Sequence, residues 1–181
     1  MEKKKNVSVN LRRAAYAALF AAIISVCAQI TVPGTIPFTM QTFAVFAAML
    51  LLDAGTSIIS VALYLAIGAV GVPVFAGLRG GIGVLLGPTG GYIWGFIIAA
   101  ALYALVRKLI PSENFFASIP ALLISLAALY LCGTLWFCFA AKTTFTAALS
   151  ACVVPFIPFD LLKMGLALVI SWRVAPLLKK V

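Results

Sequence analysis

Histidine is absent from the 181 residues, and only four are acidic. Without histidine there is no His-based catalytic triad and no His-containing metal site. The cysteines Cys27, Cys132, Cys138 and Cys152 stand in apolar surroundings without a CxxC, so they read as small buried apolar residues rather than metal ligands or a redox pair. No G-x-x-x-x-G-K-[ST] run occurs, which excludes a P-loop ATPase within the chain. The stretch GGIGVLLG contains G-x-G but not G-x-G-x-x-G, and neither G-x-S-x-G nor H-E-x-x-H is present. The nucleophile, base and metal groups of a membrane enzyme cannot be assembled from what is left, so the chain reads as a non-enzyme. Charge is scarce too: 9% of residues are charged, where a soluble domain has about a quarter.

What is present is apolar surface. Hydrophobic residues make up 65% of the chain and the mean hydropathy is +1.20, which reads as an integral membrane protein. The length suits one domain over 1–181, all-α, with a short basic tail at 1–12 and about six spans of ~20 residues. The apolar runs place them near 13–32, 38–52, 54–72, 83–106, 115–141 and 154–177. The second is short and enters after Pro37. The lysine-rich start followed by Ala14 to Cys27 resembles a secretory signal, but the apolar run continues to Val32 and it reads as the first span.

The net charge of +9 is distributed as membrane topology requires. Lys3, Lys4, Lys5, Arg12, Arg13, Arg107, Lys108, Arg173, Lys179 and Lys180, ten of the 13 basic residues, fall on one side if both termini are cytoplasmic. No basic helix with interleaved aromatics lies outside the apolar runs, so a nucleic-acid partner is not expected and membrane lipid is. Arg79 and Lys163 are left on the outer side, unexplained by topology.

Two connections are unusual. TVPGTIPFTMQTF breaks helix at Pro33, Gly34 and Pro37. GVPVFAGLRGGIGVLLGPTGGY is too apolar for a solvated loop and too glycine-rich for a plain helix, so it reads as an outer re-entrant or lid segment over a site; an ordinary glycine-rich turn is the alternative. No internal repeat is visible.

Asp160 and Lys163 stand one helical turn apart in PFIPFDLLKMGLALVISW. An ionisable side chain at membrane depth costs about 2.5–3.5 kcal/mol on insertion scales, so the pair marks a functional site. Asp160 follows Pro158 and suits the first turn of the last helix, whose positive end favours the carboxylate. The pair can present an acceptor and a donor to a ligand, or close the helix end by satisfying itself. Arg79, with no acid nearby in sequence, points to an anionic ligand held in bidentate fashion. Gln29, Gln41 and Tyr92 are the other polar residues of the outer half. In the first span Ala14, Ala18 and Ala22, flanked by Ala17 and Ala21, form a flat ridge for close helix approach, by a partner or by the chain's own helices.

PFTMQTF, GVPVFAGLRGG, LGPTGGY and PFIPFDLLK, in this order and spacing, resemble the BioY family, the biotin-binding S components of energy-coupling factor (ECF) transporters, over about Ala14 to Leu177. The resemblance implies a six-helix S-component-like fold with a Gly-rich outer loop between helices 3 and 4. It implies a prokaryotic plasma membrane, and docking of Ala14, Ala18 and Ala22 onto a transmembrane coupling subunit that sits on two cytoplasmic ATPases. The chain itself would need no cofactor, since its partners hydrolyse the ATP. Biotin then suits the residues: Asp160 accepts from a ureido N–H, Lys163 donates to the ureido carbonyl, and Arg79 pairs with the carboxylate, helped by Tyr92 and Gln41. Lys163 and Arg79 can exchange these roles. Phe38, Phe75 and Leu86 would supply an apolar trough. The chain departs from the family pattern where Leu78 and Arg79 follow Gly77 directly, in place of further glycine or asparagine, so which loop residue covers the ring stays open. The alternatives are an S component for another small carboxylated vitamin, and an assembly subunit without a ligand.

Overall fold

The computed structural model describes residues 2–32, 37–111 and 115–178, with the side chains of 2–9 and 177–178 left aside. Pro33 and Gly34, residues 112–114, Lys179 and Lys180 lie outside the described residues. Helices dominate: α1 (Glu2–Gln29), α2 (Gln41–Leu51), α3 (Ala54–Ala69), α4 (Ile82–Leu86), α5 (Gly90–Leu109), α6 (Ser118–Ala141), α7 (Phe145–Cys152) and α8 (Ile157–Leu178). A two-stranded antiparallel ribbon, β1 (Thr31–Val32) and β2 (Phe38–Thr39), follows α1, pairing Thr31 with Thr39 and Val32 with Phe38.

The protein is an all-α membrane protein, but its helices are of unequal length. Among the described residues three are long and apolar enough to cross a bilayer (within α1, α5, and 115–141), and α7 with α8 makes a fourth if that pair, bent by 50°, is one span. Helices α2 and α3 are shorter, at 11 and 16 residues. At 1.5 Å per residue α2 reaches only about half of a ~30 Å hydrocarbon core. The segment expected as one helix over 83–106 is broken at Gly87–Pro88–Thr89 into α4 and α5. Proline there cannot donate to a helix ladder, and around the break the carbonyls of Leu85 and Gly87 accept from the indole N–H groups of Trp94 and Trp136, at 3.2 and 2.9 Å, the Gly87 carbonyl also from the Gly90 N–H.

Local chemistry sets the boundaries. Asp53 caps α3, accepting from the Thr56 N–H at 3.2 Å and the Thr56 hydroxyl at 2.6 Å, with the Arg13 guanidinium of α1 3.6 Å away. Thr144 caps α7 through the Ala147 N–H. Lys142 closes α6 in the left-handed conformation, φ 51°.

Helix α1 packs on α2 and α3, α2 on α8, and α5 on α3 and α6. The core runs through Ile24, Phe46, Val61, Tyr64, Leu122 and Ala167. Glycine makes the α5–α6 seam tight. A Cβ at Gly133 would meet the Tyr92 ring at 2.2 Å, and one at Gly91 would meet Trp136 Cβ at 2.2 Å. Gly91 and Gly95 form a small-xxx-small pair that lets α6 approach this closely. On α1, Ala17 and Ala21 face the core, whereas Ala14, Ala18 and Ala22 are exposed.

Candidate functional site

One cavity gathers the polar residues singled out in the sequence, Gln29 excepted. Including its open mouth it measures about 760 Å³, within the usual range for small-molecule sites. All six residues expected at a ligand site, Gln41, Phe75, Arg79, Tyr92, Asp160 and Lys163, lie on its wall. They come from four elements, α2, the loop between α3 and α4, α5, and the first turns of α8, and the ribbon adds Thr39.

Asp160 and Lys163 are buried charges on this wall. Their side chains are 4% and 6% exposed and their charged atoms are 2.9 Å apart. They do not close on themselves alone. Asp160 Oδ1 also accepts from the Thr42 hydroxyl and Oδ2 from the Tyr130 hydroxyl, both at 2.7 Å. Lys163 Nζ also donates to the Thr39 carbonyl at 2.6 Å, and it stands 3.9 Å from the centre of the Phe38 ring. A buried ion pair is tolerable only when its remaining valences are met, and these contacts meet most of them. Oδ2 keeps a lone pair and the ammonium keeps a proton, one acceptor and one donor on the cavity wall.

Gln41 is more committed than its sequence position suggests. Its Oε1 accepts from the Thr39 hydroxyl at 2.8 Å and its Nε2 donates to the Tyr64 hydroxyl at 2.5 Å, which leaves one N–H for a ligand. The Tyr92 hydroxyl shares a 3.2 Å hydrogen bond with Thr134. Phe75 is 1% exposed and meets Tyr64 edge to face, with ring centres 5.4 Å apart. Arg79 is exposed, its Nε donating to the Ala76 carbonyl at 3.2 Å, so the cavity wall carries both a buried ion pair and an exposed cation.

The glycine-rich segment, expected as a re-entrant or lid segment, carries a hairpin ahead of the short α4. Residues 75–79 make a tight hairpin closed by two backbone bonds between Phe75 and Arg79, of 2.9 and 3.2 Å. Phe75, Ala76 and Arg79 put this hairpin on the cavity wall. Leu86 departs from expectation: it is 60% exposed and off the wall, and Val84 lines the cavity instead, because residues two apart on α4 point about 200° apart. Phe38 is not on the wall either. It packs on Phe156 and Phe159 and covers Lys163 from outside. The apolar surface comes from Phe75, Ile93, Phe96, Leu129 and Phe156. Thr42 and Tyr130 were not singled out in the sequence, although Thr42 stands inside the PFTMQTF motif beside Gln41.

The BioY family model matches residues 1–180. The chain belongs to the BioY family. Among BioY relatives, the biotin transporter BioY of Thermotoga maritima is 37% identical over 168 residues, covering 92% of this chain and 98% of that protein. The probable biotin transporter BioY of Pyrococcus horikoshii is 41% identical over 157 residues, covering 86% and 91%. The crystal structure of the S-component for biotin from an ECF-type ABC transporter superposes with a TM-score of 0.83 at 27% identity, covering 92% of each chain.

Proposed function

We propose that this membrane protein takes up biotin as the S component of an ECF-type transporter, and that the outer cavity is its biotin site. The observation that carries the reading is the chemistry gathered on one cavity wall: a buried acceptor–donor pair, Asp160 and Lys163, an exposed guanidinium, Arg79, and apolar side chains. Biotin calls for the same kinds of groups. Its ureido ring offers two N–H donors and a carbonyl, its bicyclic body and chain are apolar, and its tail ends in a carboxylate. In this reading Asp160 Oδ2 accepts from a ureido N–H, the Lys163 ammonium donates to the ureido oxygen, and Arg79 takes the carboxylate. The relatives' names and the structural neighbour support the same ligand. The test is saturable binding of radiolabelled biotin by the purified protein. Its absence overturns the reading.

The division of labour has its own test. An exposed ion pair contributes up to about 1 kcal/mol, and a bidentate arginine somewhat more. Arg79→Ala is expected to weaken biotin roughly tenfold, 1.4 kcal/mol being one decade of affinity. Biotinamide, which lacks the carboxylate, should lose less than threefold. Equal losses for the two ligands would assign Arg79 elsewhere.

The transport step needs partners. In the proposal, the exposed ridge of Ala14, Ala18 and Ala22 docks on the ECF coupling subunit, which sits on two cytoplasmic ATPases, with both termini of this chain cytoplasmic in a prokaryotic plasma membrane. Six spans would then include the short α2 and α3. The support is that these alanines face away from the core while Ala17 and Ala21 face into it, leaving a small-residue stripe at helix-packing spacing. Ala18→Trp should keep biotin affinity within threefold and reduce ATP-driven uptake at least tenfold. Unchanged uptake would remove the ridge from the docking surface.

A further inference from the structure

Helix α1 ends in Gln29, whose side chain reaches a segment 45 to 49 residues further along the chain. Nε2 donates to the carbonyls of Val74 and Phe75, both at 3.1 Å, and lies 3.3 Å from the Ser25 carbonyl of its own helix. Oε1 accepts from the Leu78 N–H at 2.9 Å. Both faces of the amide are therefore spent on the hairpin. A glutamate lacks the donors, a lysine lacks the acceptor and an asparagine is a methylene shorter.

The hairpin needs an outside hold. Its own closure rests on two backbone bonds, and its tip carries Gly77 at φ +71° and Leu78 at φ +55°. Glycine or asparagine takes the left-handed conformation readily; a bulky residue such as leucine keeps it only where the surroundings impose it. Leu78 is 70% exposed, so little packing imposes it, and the contact that does is the bond from its N–H to Gln29. On either side of that tip stand Phe75 and Arg79, both on the cavity wall.

We propose that Gln29 is a positioning residue: it latches the hairpin to α1, holds Phe75 and Arg79 in place on the cavity wall, and thereby sets how long a ligand stays. The ligand part rests on the biotin reading; the latch itself can be tested without ligand. In the detergent-purified, ligand-free protein, Gln29→Ala is expected to speed amide hydrogen exchange at least tenfold in peptides covering 74–79, with α5 and α6 unchanged. With biotin, the same variant should release ligand at least tenfold faster and lose most of the preference for biotin over biotinamide, because Arg79 is no longer held. Gln29→Glu, which keeps the acceptor but sets a carboxylate against two carbonyls, should behave like Gln29→Ala at Val74 and Phe75. Unchanged exchange at 74–79, or a rise spread evenly through α5 and α6, overturns the latch. An unchanged release rate and ligand preference overturn its role in retention. A parent protein that fails to bind biotin counts against the functional reading, and the exchange result then decides the latch.

Discussion

Lys163→Met should abolish high-affinity biotin binding and destabilise the protein, whereas the double variant Asp160→Asn/Lys163→Met should regain the stability and still fail to bind. The reason lies in how the pair is buried. Lys163 donates to Asp160 and to the Thr39 carbonyl and sits against the Phe38 ring, with 6% of its side chain exposed. Removing it leaves the Asp160 carboxylate at the bottom of the cavity with two hydroxyl donors and no counter-charge. Breaking a buried pair from one side costs about 3–5 kcal/mol, while replacing both ions with neutral groups is often neutral. Thermal unfolding in detergent should therefore show a large drop for the single variant and recovery in the double one. Biotin binding separates function from folding: both variants should lose at least a hundredfold in affinity. A double variant that bound biotin within threefold of the parent would remove Asp160 and Lys163 from the ligand's polar end.

A single methyl group at position 68 is expected to cost nearly as much. Gly68 lies in α3 under the Phe75 ring, and a Cβ there would meet Phe75 Cζ at 2.1 Å. Something must move, and the ring has little room, since it is 1% exposed and packed on Tyr64, which in turn receives the Gln41 amide. Gly68→Ala thus pushes the hairpin outward and strains the Tyr64–Gln41–Thr39 chain of hydrogen bonds on the cavity wall. Overpacking of this kind costs about 1–3 kcal/mol. Biotin affinity should fall at least tenfold. Adding Phe75→Leu, which vacates the space, should recover part of the stability, and the coupling between the two substitutions is read from a double-mutant cycle. A Gly68→Ala protein with parental melting temperature and affinity would show that the Phe75 position is unimportant.

These two experiments also mark what could be read from the chain beforehand. Asp160, Lys163 and Arg79 were legible because a charge in an apolar run is costly wherever it lies, so its presence alone signals a site. The helical segments were legible from the length of their apolar runs. Thr42 and Tyr130 were not, because a threonine hydroxyl can bond its own helix backbone and a tyrosine reads as one more aromatic, so neither carries such a signal until folding brings it to Asp160. Gly68 was equally silent: one small residue in an apolar helix says nothing of the ring that will lie on it 3D-adjacent but seven positions away in sequence. Leu86 misled because an apolar residue in an apolar segment does not tell which way it faces, and in α4 Val84 faces the cavity while Leu86, two positions on, faces away.

The glycine-set seam between α5 and α6 has a consequence for redesign. Tyr92 lies flat on Gly133, and Gly95 admits Leu129, so this side of the cavity has almost no slack for a larger side chain or a shifted helix. The hairpin side is built the other way, from a short surface turn held by side-chain contacts. A wider or chemically altered ligand would therefore have to be accommodated by rewriting residues 76–79, none of which is buried, and their partner Gln29, while the α5–α6 wall serves as a fixed template against which any new specificity is cut.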